Sequence, residues 1–264
     1  MTPAELLRSA AGTVCLAEAE YLLGHLLGLE RHRLYLDPSS VPDSRVAEFR
    51  ALLREAESGR PVQYVTRTAA FLDLTVYVDE RVFIPRPETE LLVTRVFEMV
   101  DSLDLAVDYG TGSGCIAVAL ARRYPKARVV AVDASPDALA VAGLNAARSG
   151  VDDRIELVRA ADLADPVLER CVNRLQLLVS NPPYVPSERI PELEARVRDH
   201  EPLLALDGGP NGTSILSMIA EKGPRLLEPG GLLALELDPG QAEAMVQAIA
   251  GASVESDLAG RRRY

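Results

Sequence analysis

Between residues 88 and 250 the chain repeats one grammar, and that grammar restricts the fold more than any other feature. Short apolar runs, LAVDY (105–109), RVVAVD (128–133), RIELVRA (154–160), LQLLVS (175–180) and GLLALEL (231–237), alternate with longer stretches whose apolar residues recur at helical spacing. The helical stretches are ELLVTRVFEMV (90–100), CIAVALARRY (115–124), PDALAVAGLNAARSG (136–150), Thr213 to Leu227 and Gln241 to Ala250. Strands and helices in this alternation predict an α/β domain: a parallel sheet with helices on both faces. Ligands of such sheets bind outside the carboxyl ends of the strands, where the strand order reverses. The motifs that carry chemistry here all fall at strand carboxyl ends.

The first is VDYGTGSG. A strand ends at Tyr109, glycines stand at 110, 112 and 114, and a helix begins near Cys115. Glycines there permit positive φ and let backbone approach a ligand without an intervening Cβ. The spacing is G-x-G-x-G, not G-x-G-x-x-G, and Asp108 precedes it on the strand. Nineteen residues beyond Gly114, the next strand ends at Asp133, where a carboxylate can accept from both hydroxyls of a ribose. A tight turn and a helix cap are the structural alternatives; the order and spacing together favour a nucleoside-bearing cofactor. Asp162, after the third strand, is placed to reach a base edge or to close a turn.

The fourth strand delivers VSNPPYVPS. Asn181 joins no ladder, because Pro182 and Pro183 fix their own φ and restrict the residues before them. Its side-chain oxygen and the Pro182 carbonyl can together accept both hydrogens of one planar NH2 group, with Tyr184 against the flat face. Such a nitrogen is a poor nucleophile, its lone pair being delocalised. Fixing both N–H bonds turns that lone pair toward an electrophile, and a sulfonium methyl is one that needs no metal. Read alone, the four residues are equally a rigid turn.

Upstream, residues 15–29 and 43–58 carry apolar residues at helical spacing, the second with Asp43 as a cap and Gly59 and Pro61 as a stop. A small helical domain is expected over 1–60. VQYVTRTAAFLDLTVYVDERVFI alternates apolar and polar residues, which predicts a β-hairpin linker over 61–87 and leaves 88–264 to the α/β domain. Acidic residues outnumber basic ones 39 to 28, a net charge of −11, which argues against direct binding of nucleic acid. Cys15, Cys115 and Cys171 are widely spaced, so neither a disulfide framework nor a metal site is expected. With no secretory leader or membrane-spanning run in these 264 residues, a cytoplasmic location is the expectation.

Taken together these segments resemble the Rossmann-like, S-adenosylmethionine-dependent methyltransferases, and within them the PrmC/HemK protein-glutamine methyltransferases. The resemblance runs through PVQYVT, FLDL, VFIPRPETE (82–90), VDYGTGSG, AVDAS, SNPPY, HEPLLALDGGPNG (200–212) and ELDPGQ (236–241). It implies that Gly110, Thr111, Gly112, Ser113 and Gly114 contact the methionine part of S-adenosylmethionine, Asp133 its ribose, and Asp162 or Leu163 its adenine. It further implies that Asn181, Pro182, Pro183 and Tyr184 hold the substrate amide, with Asn181 also near the cofactor. Arg86, Glu88 and Glu90 would order the wall beside it, a role that a stiff connection through Pro85 and Pro87 would also explain. The reaction implied is methylation of N5 of the glutamine in the GGQ motif of class-1 peptide chain release factors, with the helical domain recognising the protein substrate.

An adenine-N6 methyltransferase acting on nucleic acid through the same NPPY site is the alternative, disfavoured by the charge and by IPRPETE. Three residues depart from the family pattern: Arg67 and Asp238 at usual glycines, and Asn211 at a usual aspartate. The chain stops at Tyr264, directly after GRRR, where the family runs through a last antiparallel strand, so that strand is expected to be short or the sequence truncated. His200 lies in a connection of about thirty residues after Asn181, long enough to read as a wall of the substrate entrance. His200 is expected to be a surface or capping residue before a base, His25 and His32 packing or surface residues, and Arg261, Arg262 and Arg263 a solvated run.

Overall fold

The computed structural model describes every residue from Met1 to Tyr264. The chain folds into two units, one of Met1–Thr68 with Glu194–His200 and another of Ala69–Leu193 with Glu201–Tyr264.

The first unit is helical. It contains α1 (Pro3–Ser9), α2 (Leu16–Leu27), α3 (Arg33–Leu36), α4 (Asp43–Glu57) and α5 (Val62–Thr66). Leu6, Leu22, Leu23, Leu34, Phe49 and Leu53 bury its core, each worth roughly 1.5–3 kcal/mol against exposure. Helix α2 starts where the Glu18 carboxylate accepts from the Cys15 N–H at 3.0 Å and ends at Gly28, left-handed at φ 65°. Asp43 is the first helical residue of α4 rather than its cap; Pro42 takes the cap position.

The expected hairpin linker begins later than the sequence pattern suggests. Residues 62–66 form α5, because Pro61 opens a helix there and a five-residue run with Val62, Tyr64 and Thr66 buried fits either period. Strands β1 (Thr68–Phe71) and β2 (Leu74–Tyr77) make the hairpin, and residues 78–86 form no strand. Arg67 closes α5 at φ 55°, which explains why a glycine suits that position. Arg67→Gly is expected to raise stability by about 1 kcal/mol. Calorimetry measures this directly; an unchanged or lower unfolding midpoint would show that the contacts of Arg67 outweigh the backbone strain.

The second unit is the α/β domain. Its elements are α6 (Pro87–Met99), β3 (Leu105–Tyr109), α7 (Cys115–Arg123), β4 (Arg128–Asp133), α8 (Pro136–Arg148), β5 (Ile155–Arg159) and β6 (Leu175–Ser180). The four-residue α9 (Ala195–Arg198) falls in the first unit, and α10 (Ser214–Lys222), β7 (Leu227–Leu235) and α11 (Ala242–Ala248) complete the second. Five parallel strands stand in the order β5-β4-β3-β6-β7. Val107, Val130, Val132, Leu177 and Leu178 are almost wholly buried, as strands covered on both faces must be.

From β3 the chain steps outward to β4 and β5, then returns to place β6 on the other side of β3. The order therefore reverses between β3 and β6. Tyr109 pairs with Val132 on one side and Ser180 on the other, and Ser180 pairs with Leu235. This register brings Gly110, Asp133, Asn181 and Glu236 out along one sheet edge.

Arg261 and Arg262 of the terminal segment are exposed, as expected, and Arg263 is partly buried, but all three are ion-paired. Arg261 and Arg263 both reach Asp257, at 2.7 and 3.0 Å, and Arg262 reaches Glu243 at 3.2 Å. Ser256 and Arg262 bridge in antiparallel fashion, and the Leu237 N–H donates to the Arg263 carbonyl, so the segment folds beside the end of β7.

Candidate active site

A cleft of about 260 Å³ opens at the carboxyl edge of the sheet. Its lining includes Gly110, Thr111, Gly112, Ser113, Asp133, Asn181, Pro182, Pro183 and Tyr184. The switch point thus gathers the glycine loop, the acidic strand end and the NPPY segment around one space.

The loop takes its shape from three left-handed glycines, with φ of 73° at Gly110, 54° at Gly112 and 78° at Gly114. Gly114 is needed twice, since a Cβ there would also stand 2.9 Å from the Ala142 Cβ of α8. Gly110 and Thr111 both donate to the Val132 carbonyl, which ties the loop to β4. Asp133 finishes the anchoring: one carboxylate oxygen accepts from the Gly112 N–H and the other from the Ser135 N–H, each at 2.9 Å. A carboxylate has about four acceptor positions, so two remain for a ligand's hydroxyls. Burial raises the pKa of Asp133, and backbone donors from Ser135 and Gly112 oppose that rise.

Asp108 shapes the loop from within. It is fully buried, and one oxygen accepts from the Thr111 hydroxyl at 2.6 Å and the Ala117 N–H at 3.0 Å. Its other oxygen has no partner. Burial pushes its pKa from the ordinary 3.8 to about 7. The folded state therefore binds this proton more tightly than the unfolded chain. The stabilisation is present below pH 3.8 and is lost as pH rises to about 7. Asp108→Asn should flatten the stability-versus-pH curve across that window by an amount on the order of a few kcal/mol. Denaturant titrations of both proteins from pH 4 to pH 8 are the measurement; parallel curves would contradict the assignment.

On the other side of the switch point, Asn181 stands half-buried after Ser180, whose hydroxyl donates to the Tyr109 carbonyl at 2.6 Å. The Asn181 Nδ2 donates to Thr89 Oγ1 at 2.8 Å, Thr89 donates to Glu236 Oε2 at 2.7 Å, and the Tyr184 hydroxyl donates to Glu236 Oε1 at 3.2 Å. The segment beyond is clamped from outside. Val185 exchanges backbone hydrogen bonds with Leu206 and Gly208, and the Gln241 amide donates to the Tyr184 and Gly212 carbonyls. This explains the tolerance of two departures. Asp238 sits at φ −70°, needs no glycine, and caps the turn that carries Gln241; Asn211 is exposed.

The side chains of the two residues expected near the adenine have partners of their own. Leu163 is wholly buried in the hydrophobic core, and Asp162 accepts from the Ala164 N–H and pairs with Lys222 at 2.5 Å. Both side chains are spent on packing and turn closure, and of this loop Ala161 lines the cleft. The Tyr109 hydroxyl donates to the Ala161 carbonyl at 2.8 Å, which holds that part of the wall. Within IPRPETE it is Pro85 and Thr89 that line the cleft. Arg86 stacks 4.5 Å over the Phe83 ring and forms a close ion pair with buried Glu201, which also accepts from the Ile84 N–H. That pair pins the wall to the connection whose Pro202, Leu204, Ala205 and Leu206 also line the cleft. His200 does not line it.

Thr89 and Glu236 escaped the sequence reading. Glu236 carried a signal: it is a lone carboxylate at the carboxyl end of the apolar run GLLALEL, the position that also singled out Asp133. Thr89 carried none, being one polar residue of a helix's first turn.

The residues present fit S-adenosylmethionine: a positive-φ backbone cradle and a carboxylate with acceptor positions to spare. Residues 5–66 match the PrmC N-terminal domain, and residues 86–195 match the methyltransferase small domain. The release factor glutamine methyltransferase of Chlorobaculum tepidum is 47% identical over 83% of this chain and 77% of its own length. That of Gloeobacter violaceus is 42% identical over 89% and 82%, and that of Mycobacterium tuberculosis 36% over 99% and 87%. Among solved structures, the hMettl16 catalytic domain in complex with the MAT2A 3'UTR hairpin 6 superposes with a TM-score of 0.54. It is 13% identical, over 84% of this chain and 80% of that one, a likeness of fold alone. This chain belongs to the release factor glutamine methyltransferase family.

Proposed function

We propose that, as a member of that family, this chain transfers a methyl group from S-adenosylmethionine to the side-chain amide nitrogen of a release-factor glutamine, N5 of the GGQ glutamine. One observation carries the chemistry: Asn181, whose NH2 is engaged by Thr89 and whose oxygen is its remaining acceptor, lines a cleft shared with the glycine loop and Asp133. The Asn181 oxygen and the Pro182 carbonyl accept the two N–H bonds of the incoming amide, and Tyr184 supports its flat face. These contacts direct the nitrogen lone pair and favour the tetrahedral form over the planar one. When bound, S-adenosylmethionine would supply its sulfonium methyl to the amide nitrogen, the sulfur keeping the bonding pair as a neutral thioether. Gly110 to Gly114 hold its methionine part and Asp133 its ribose. The proton released from nitrogen leaves to solvent, so no histidine is required at the cleft.

The helical unit assists recognition of the protein substrate, and the connection through Leu204 and Ala205 forms the entrance. No helix of the chain is long and apolar enough to cross a membrane. The test is to incubate the purified protein with a class-1 release factor and S-adenosylmethionine, and to map the added methyl group by mass spectrometry. Modification confined to the GGQ glutamine is expected; modification elsewhere, or of RNA or DNA offered in parallel, would overturn the substrate assignment.

A further inference from the structure

An asparagine amide has an acceptor end and a donor end of nearly the same shape, and the proposed reaction needs the acceptor end toward the substrate. Turned over, the side chain would aim an NH2 at an NH2, donor against donor. Something must decide which end faces the cleft.

The decision lies in the buried wall of the cleft. Thr89 is 3% exposed and Glu236 1% exposed, so neither exchanges hydrogen bonds freely with water. Burial raises the Glu236 pKa, while donors from Thr89 and Tyr184 and the charge of Arg263 favour its ionised form, which only accepts; a hydroxyl has one proton to give. With Glu236 Oε2 at 2.7 Å, the Thr89 proton is directed to it, and at Thr89 only lone pairs remain for Asn181. The Asn181 end at 2.8 Å from Thr89 Oγ1 must then be the NH2. The second oxygen of Glu236 accepts from Tyr184, so one carboxylate orients both the asparagine and the ring beside it. Resting on the role proposed above for Asn181, we propose that Thr89 and Glu236 are positioning residues: a buried relay that fixes the polarity of Asn181 and thereby selects a substrate nitrogen bearing two hydrogens. The register supports this, since β6 and β7 deliver Asn181 and Glu236 one residue beyond paired positions while the first turn of α6 inserts Thr89 between them.

A double-mutant cycle on the intact protein tests the relay. Thr89→Val keeps the shape of Thr89 and removes its oxygen. It is expected to lower kcat toward a release factor by about tenfold or more, with the S-adenosylmethionine Kd by calorimetry held within about twofold. Thr89→Ser, which keeps the hydroxyl, should recover most of the lost rate. In an Asn181→Ala background, Thr89→Val should cost less than about twofold more, because the group it orients is gone. If Thr89→Val does not fold, Thr89→Ala runs the same cycle. Equal losses in both backgrounds, or a loss carried by cofactor affinity, would overturn the relay while leaving the role of Asn181 standing. Full activity of Asn181→Ala alone would overturn both.

Discussion

Asn181→Ala is expected to lower turnover by about a hundredfold or more while leaving S-adenosylmethionine affinity nearly unchanged. The two effects separate because Asn181 and the proposed cofactor contacts come from different strands. Gly110, Gly112 and Asp133 are held by bonds to β4 and to one another, none of which passes through Asn181. The loop should keep its shape when Asn181 is cut back. What disappears is one of two acceptors aimed at the substrate nitrogen. A preorganised acceptor in a partly dry cleft is worth roughly 3 kcal/mol at a transition state, which converts to about two orders of magnitude in rate. Single-turnover kinetics together with calorimetry make the separation visible. A variant that lost cofactor affinity but turned over normally once loaded would place Asn181 among cofactor contacts instead. Thr89 loses its hydrogen-bond donor in this variant, yet its own proton still reaches Glu236, so the fold is expected to survive.

The same strands explain why so much of the molecule was legible in sequence. A parallel strand buried on both faces must be apolar throughout, so LAVDY, RVVAVD and LQLLVS announce themselves, and a polar residue at the end of such a run has few reasons to be there. Asp133 and Asn181 were found on that ground, and Glu236 stood in the same position. The helical unit was legible because α2 and α4 are long enough to show a period. Helix α5 was not: five residues from Val62 to Thr66 cannot distinguish alternation from a single helical turn, and the difference lies in Pro61 and in the tertiary packing of Tyr64. The side-chain directions of Asp162 and Leu163 were not legible for another reason. A loop residue's direction is set by partners distant in sequence, here Lys222 and the core around Leu168 and Ile219, and nothing local encodes them. The same holds for Thr89, whose meaning depends on Glu236, 147 residues away.

Long-range dependence also sets a large structural effect expected of a single added methyl group. Gly212 is left-handed at φ 70°, and a Cβ on it would stand 2.2 Å from the Tyr184 carbonyl oxygen, 2.7 Å from Gln241 Nε2 and 3.0 Å from the Pro186 nitrogen. Two of these, including the nearest, are backbone atoms of Tyr184 and Pro186 that no rotamer change can move, and the third belongs to the Gln241 amide that clamps them. Gly212→Ala is therefore expected to cost the left-handed penalty of about 1 kcal/mol together with about 1–3 kcal/mol of overpacking. Gly230→Ala is the control: that glycine is also left-handed, at φ 85°, but its Cβ would meet nothing within 4 Å, so it should show the backbone penalty alone. The activities should diverge further than the stabilities. Relief of the clash at Gly212 requires Tyr184 to move, and a shift near 1 Å in a group that positions a nucleophile costs on the order of a hundredfold in rate. Cofactor affinity should be retained in both variants, because neither glycine touches the loop at Gly110 or the carboxylate of Asp133. Chemical denaturation, calorimetry and single-turnover rates on the pair decide the matter. If Gly212→Ala matched Gly230→Ala in both stability and rate, the HEPLLALDGGPNG segment would be a tolerant surface connection and not the clamp that holds Tyr184 in place.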